Sequence, residues 1–429
     1  MKAKWILMGT ALAMFLILGT MIPQPAWSIP AFARKEGVTC SMCHTTVPHL
    51  NEYGFRYRKA GFRDPGDIGK ELDSFNYADV FSARVQARFD VKHRDMGNNM
   101  TTTSNQLNLH EVTLYPLSGS FGKHFGSLME LSAANEDFLE IENAYFRYTA
   151  GNEDAWYTIR FGLFHPFEGY GASDRPYALS RPFIQGSTAN NGAGNATYFK
   201  LWGFDQAGME LAYVKNHTTA SVTLFNGTFV TNDEGKYKAF PAAGGHLTKT
   251  AGFKNSDSKD VQVFLNQAID ENGSGLSAYY YYGQSDLPIP GVAPSNFMPS
   301  TSFENDFHRV AGYGSYVLSP QFEVMAGASW GRDNSADTLG TISTFNSQGF
   351  FGEADFHPSD ITTVGGRFDY FDPSTDIDNN QKWGATAFAN VPLNDGLQFI
   401  AQFQHVQQKR GTMADLKDDN FQLRMIWIQ

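Results

Sequence analysis

From about Ala78 onward, apolar and polar positions alternate in short runs. Phe421, Leu423, Met425 and Trp427 alternate with Gln422 and Arg424, and Leu397, Phe399, Ala401 and Phe403 with Gln398, Gln402 and Gln404. Val364, Phe368 and Tyr370 alternate with Arg367 and Asp369, and Val261, Val263 and Leu265 with Asp260, Gln262 and Asn266. A period of two places one set of side chains on each face of a strand. Sixteen such segments can be marked, near residues 78–93, 106–116, 124–134, 139–150, 155–164, 200–214, 218–230, 258–270, 275–284, 307–318, 321–333, 347–357, 360–372, 382–391, 396–408 and 418–428. Most match the roughly 9–11 residues that a tilted strand needs to cross a bilayer.

The connections between these segments sort by length. Residues 151–154, 215–217, 271–274, 319–320, 358–359 and 392–395 are short, whereas 165–199, 231–257, 285–306, 334–346, 373–381 and 409–417 are long. The long ones carry Gly, Asn, Ser and Pro, as in Gly186 to Thr197 and Pro288 to Pro299. A soluble sandwich has no reason to sort its loops this way. Short periplasmic turns opposite long external loops are the habit of outer-membrane barrels. The expected fold is therefore all-β with a small N-terminal α segment: an antiparallel transmembrane β-barrel of about 16 strands. An even count leaves both barrel ends on the periplasmic side. The connection 135–138 is short where the pattern wants a long one, so a hairpin could be miscounted there.

The chain begins like an exported protein. Lys2 and Lys4 precede the apolar run Trp5 to Leu18, and Ala26-Trp27-Ser28 offers small residues for cleavage after Ser28, with Ala31-Phe32-Ala33 as a second option. That run is shorter than the ~20 residues of a spanning helix, and no later stretch reaches even 18 apolar residues. The expected organisation is a signal peptide at 1–28, a small domain at 29–75 and the barrel at 76–429. Net charge is −11, which argues against nucleic acid as a partner. Phe 36, Tyr 19 and Gly 41 are high against a charged fraction of 18%, as a barrel with aromatic girdles would require.

The candidate chemistry lies in the small N-terminal domain. The chain has two cysteines, both in Cys40-Ser41-Met42-Cys43-His44. Two thiols separated by two residues reach the two vinyl groups of a haem, and the next residue, His44, then becomes the proximal iron ligand. A disulfide or redox dithiol at the same cysteines is the alternative, although the βαβ context of a thioredoxin-like site is missing. Zinc would need a second Cys/His pair at finger spacing. The following residues suit one short helix, with Thr46 as cap, Pro48 in the first turn and Gly61 at the end. Leu50, Tyr53, Tyr57 and Ala60 would share its face. Arg34, Lys35, Arg56, Arg58, Lys59 and Arg63 make the segment basic; they could pair haem propionates or remain solvated.

The sixth iron ligand is not evident. Between Thr45 and Val91 there is no methionine and one histidine, His49. The options are His49 in an unusual geometry, a residue from the rest of the chain, or none. The other histidines are scattered, and Glu140 and Glu142 read as lumen lining. A segment of ~40 residues is too small to fold without a staple. Its compact diameter, roughly 23 Å, is close to the interior of a 16-stranded barrel whose backbone diameter is about 32 Å. The segment with its haem would make a tight plug.

Pro30 to Arg34, Cys40 to His44, Val47-Pro48-His49-Leu50-Asn51, Tyr53-Gly54-Phe55-Arg56 and Gly61-Phe62 together resemble the fused monohaem cytochrome–porins of iron-oxidising bacteria. Ala144 to Tyr148 and Gly162 to Glu168 look like phosphate-selective-type porins. The resemblance implies an iron(II)-oxidising oxidoreductase in the outer membrane of a diderm bacterium. It would oxidise extracellular ferrous iron and pass electrons through one covalent haem c, held by Cys40, Cys43 and His44, to a periplasmic carrier such as a soluble cytochrome. Outer-membrane lipid would surround it. The family's distal ligand transfers to no position here. The alternatives are the same conduit with another extracellular donor or acceptor, or a porin whose haem is not catalytic.

Overall fold

The computed structural model describes residues 30–46, 48–71, 76–133, 140–165, 176–190, 196–198, 206–226, 237–238, 259–288, 302–336, 342–359, 362–394 and 396–428. The expected signal peptide and parts of the long loops lie outside these residues. Sixteen principal strands form one closed antiparallel barrel. They are β1 Ser82–Asp95, β2 Thr101–Tyr115, β3 Phe125–Ala133, β4 Glu140–Gly151, β5 Ala155–Phe164, β6 Gln206–Lys215, β7 Thr218–Phe225 and β8 Asp260–Ala268. Then follow β9 Gly275–Pro288, β10 Ser302–Ser319, β11 Phe322–Ala336, β12 Ile342–Phe356, β13 Thr363–Asp372, β14 Lys382–Asn394, β15 Leu397–Arg410 and β16 Met413–Ile428. Every marked segment becomes one of these strands. The doubtful connection, 135–138, falls between β3 and β4 and lies outside the described residues.

Closure comes from β16 on β1, in register from Lys417↔Asp95 to Ile428↔Arg84. It leaves no strand edge open, which a chain in hydrocarbon requires. The period of two decides the faces. On β6, Met209, Leu211 and Tyr213 point outward and are exposed, while Glu210, Ala212 and Val214 point inward and are buried. The outer face near the short turns carries Phe125, Tyr157, Tyr213, Tyr316, Phe322, Phe356 and Trp427, which form an aromatic girdle at that rim. In the Tyr279–Tyr282 run, Tyr279 and Tyr281 are inside and Tyr280 is outside.

The lumen holds two further pieces of chain. One is the N-terminal segment, with helices α1 Pro30–Glu36 and α2 Glu52–Lys59. The other is part of the β5–β6 connection. Its residues 176–187, including the single turn α3 Phe183–Gly186, fold inward as Tyr177, Ala178, Phe183 and Ile184 join the wall aromatics in the largest apolar cluster. The sequence pattern read the whole stretch 165–199 as an external loop. Burying Tyr177, Phe183 and Ile184 in the lumen is the physical reason for the difference.

The predicted helix is also shorter than expected. It starts at Glu52, because Asn51 and not Thr46 caps it: the Asn51 side chain accepts from the Gly54 N–H. Before it, His44–Thr46 and His49–Leu50 pair as a small antiparallel hairpin. The Gly61 end agrees with expectation, with φ at +79°.

Candidate functional site

The Cys40–His44 stretch is built on one 3-10 turn, Cys40–Met42, closed by Met42 N–H to the Thr39 carbonyl. Cys43 is half-buried. Asn51 ties the turn to α2. Its backbone N–H donates to the Cys43 carbonyl at 3.0 Å, and its side-chain amide donates to the Met42 carbonyl at 3.1 Å. Such a cap is worth about 1 kcal/mol. The approach is close enough to demand glycine next door: a Cβ on Gly54 would lie 2.0 Å from the Cys43 oxygen.

His44 is buried, and its Nδ1 lies 3.2 Å from the His49 carbonyl oxygen. Burial pulls its pKa down to about 4, so the ring is neutral at physiological pH. An Nδ1–H donated to a backbone carbonyl leaves Nε2 as the free-electron-pair nitrogen, the arrangement by which proteins orient a metal-binding imidazole. His49 faces the barrel wall. Its Nδ1 is 2.8 Å from Glu323 Oε1, and its ring meets Tyr177 edge-on. The structure thus joins His44 and His49 through one buried hairpin and commits the His49 ring to Glu323.

Five of the segment's basic residues, Arg34, Lys35, Arg56, Lys59 and Arg63, contact later parts of the chain. Arg63 is 1% exposed and donates to four backbone carbonyls of the turn before β3: Phe121, Gly122, Lys123 and Phe125. Arg56 donates to the Glu153 carbonyl and stacks over Trp156. Lys59 meets Glu210 at 3.4 Å, beside Arg160 on the same carboxylate at 2.8 Å. Arg34 donates to the carbonyls of Ala78 and Phe81, and Lys35 contacts Ser120. Around the rim, Thr45 donates to the Asn272 carbonyl and Glu52 meets His217. These contacts run along the short-turn end of the barrel from the turn before β3 to β11. The Arg signal was legible in the sequence; its partners, mostly backbone carbonyls of distant turns, were not.

His49 gives this docking a pH dependence. Burial lowers its pKa, but the Glu323 carboxylate raises it more, so the net shift is upward. A histidine with a raised folded pKa contributes stability that is full below its unfolded value of ~6.5 and is lost as pH rises through the folded value. His44, already neutral in that range, adds no slope. Protease release of the N-terminal segment is expected to speed up as pH climbs from about 6.5, and a Glu323→Gln variant should show a flatter profile. An unchanged slope in that variant would assign the effect elsewhere.

No protein-family model and no curated protein sequence matches the chain. Solved structures do. The outer membrane channel DcaP of Acinetobacter baumannii aligns with a TM-score of 0.52 at 12% identity, covering 81% of this chain and 97% of that one. The anion-selective porin from Comamonas acidovorans aligns with a TM-score of 0.53 at 9% identity, covering 81% and 99%. At such identities the likeness is one of fold. A closed sixteen-stranded barrel with an apolar exterior is the architecture of an outer-membrane porin.

Proposed function

We propose that this porin-fold chain is an outer-membrane electron conduit, which takes electrons from extracellular ferrous iron and delivers them to a periplasmic carrier. The observation that carries the reading is the placement of Cys40-Ser41-Met42-Cys43-His44 on a segment docked inside the barrel at its short-turn rim. Cys40 and Cys43 would hold haem c by thioethers, and His44 would ligate its iron. The donor set suits the group: the imidazole is buried, neutral and oriented through Nδ1. When bound, the haem supplies a one-electron centre whose potential depends on ligation and burial.

The chain's own residues account for the rest of the task. Asn51 and Gly54 hold the motif turn against α2. Arg63, Arg56 and Lys59 fix the segment in the lumen, so that a redox centre held by it would lie within the barrel and not below it. The inward residues 176–187 narrow the remaining space, which suits a wall that passes electrons rather than solutes. Ferric product would then form outside the cell. The test is a visible spectrum of the purified protein, oxidised and then mixed anaerobically with ferrous iron. Covalent haem bands that shift to the reduced form are expected. Absence of haem, or haem that ferrous iron leaves oxidised, sinks the reading.

A further inference from the structure

Near the short-turn rim, the inner wall of β11–β13 gathers four carboxylates: Glu323, Glu353, Asp355 and Asp369, each no more than 3% exposed. Three of them have donors. Glu323 accepts from the Tyr177 hydroxyl at 2.9 Å and lies 2.8 Å from His49. Glu353 accepts from the Tyr177 N–H, and Asp369 from the Phe183 N–H. Arg367 reaches Asp369 at 2.8 Å and Glu353 at 3.4 Å and spends its other N–H groups on Ser180. Asp355 differs. It is 2% exposed, and among the described residues neither of its carboxyl oxygens has a hydrogen-bond partner. Its carboxyl occupies the room left by a missing side chain, since a Cβ on Gly365 would lie 2.2 Å from Asp355 Oδ1.

A buried carboxylate without a donor or a cation is too costly to stay ionised, so it binds a proton or a metal. Among the described residues no three His, Cys, Asp or Glu side chains converge in a metal-holding group. That leaves the proton. The cross-strand neighbour decides which carboxyl carries it. Glu323 sits directly opposite Asp355 in the β11–β12 register. Two such groups facing each other in low dielectric divide their roles. Glu323, with His49 and Tyr177 on it, is the ionised member. Asp355, with nothing on it, is the acid.

We propose that Asp355 is an exchangeable proton site of the inner wall and that its proton follows the electron held at the N-terminal segment; the second half rests on the function proposed above. The connection is short: His44 Nδ1 to the His49 carbonyl, the His49 ring to Glu323, and Glu323 across to Asp355. Each electron released as ferrous iron becomes ferric adds one negative charge to the segment. Near the pH at which Asp355 is half-protonated, that charge draws one proton from periplasmic water onto an Asp355 still ionised, and both leave when the carrier is reduced. The groups facing Asp355 are Glu323 on β11, Glu353 and His357 on and after β12, Arg367 on β13, His49 on the segment and Tyr177 on the inward loop. Among these, Arg367 and His49 are engaged by other carboxylates.

Infrared spectroscopy of the full chain tests both halves. The expected result is a carboxylic-acid carbonyl band that persists well above the pH at which a solvated aspartate loses its proton, vanishes in Asp355→Asn and moves in Asp355→Glu, with barrel formation in each variant checked by circular dichroism. A missing band, or one that Asp355→Asn leaves in place, overturns the proton site. Reduced-minus-oxidised spectra recorded near the midpoint of that band should show it grow on reduction, and the haem potential should fall with pH less steeply in Asp355→Asn. A band indifferent to redox state overturns the coupling. A chain whose mass shows no covalent haem overturns the parent function and the coupling with it, while the pH titration still decides the proton site.

Discussion

Replacing Arg63 with alanine is expected to raise the single-channel conductance of the reconstituted barrel and to expose the N-terminal segment to protease. Arg63 is a buried peg between that segment and the wall, with one guanidinium bonded to four carbonyls at the head of β3. Hydrogen bonds from a charged donor are worth about 1.5–3 kcal/mol each, and truncation leaves the carbonyls without their donor. A loss of about 3–5 kcal/mol of docking is a reasonable scale, since breaking one side of a buried charged contact costs that much. The segment stays tethered through residues 64–81, so the change is intramolecular. At about 1.4 kcal/mol per tenfold, the undocked fraction should rise by roughly two to nearly four orders of magnitude. The barrel itself should keep its circular dichroism and heat stability, because its closure does not involve Arg63. A variant with native conductance and native protease resistance would show that the remaining contacts suffice. Those contacts include Arg56 with Glu153, Lys59 with Glu210, Thr45 with Asn272, Glu52 with His217 and His49 with Glu323.

The second large effect concerns His44. On the proposed function, a His44→Ala variant is expected to fold with the same barrel but to lose electron transfer from ferrous iron by at least about 100-fold. Loss of outer-shell partners alone costs 10–100-fold in metal affinity or activity, and a ligand matters more. The structural side of the change is small: one buried hydrogen bond, His44 to the His49 carbonyl, worth about 1 kcal/mol. The contrast between a modest stability change and a near-complete functional one separates ligation from packing. Cys43→Ser gives the companion readout, a lowered yield of protein carrying covalent haem by mass under denaturing conditions. Unaltered electron transfer in His44→Ala would reject the proposed ligand.

The opposite fates of neighbouring residues show what could be read in advance. Tyr280 outside and Tyr279 inside follow from parity alone. So do the strand positions, because a bilayer on one side and a lumen on the other impose a period of two on every strand. The loop lengths told the two ends of the barrel apart. Asn51 was harder: it sits in a recognisable N-terminal helix pattern, yet Thr46 and Pro48 offered an equally local solution. The difference arose because the hairpin His44–Leu50 could form once Asn51 N–H found the Cys43 carbonyl. His49 shows the limit most clearly. As a sequence position it is a possible iron ligand five residues from His44. In the fold it is the partner of Glu323, a residue 274 positions away on β11.

The chain by itself therefore determined the barrel, its strand count, the face each residue takes and the haem-type motif, since each rests on spacing along a single segment. Only the tertiary structure decided that the N-terminal segment and residues 176–187 occupy the lumen and that Arg63 reads backbone carbonyls. Likewise it alone brings His49, Glu323 and Asp355 to one place. These depend on which strands closure brings side by side and on which buried polar groups find partners there. Neither is written in local periodicity.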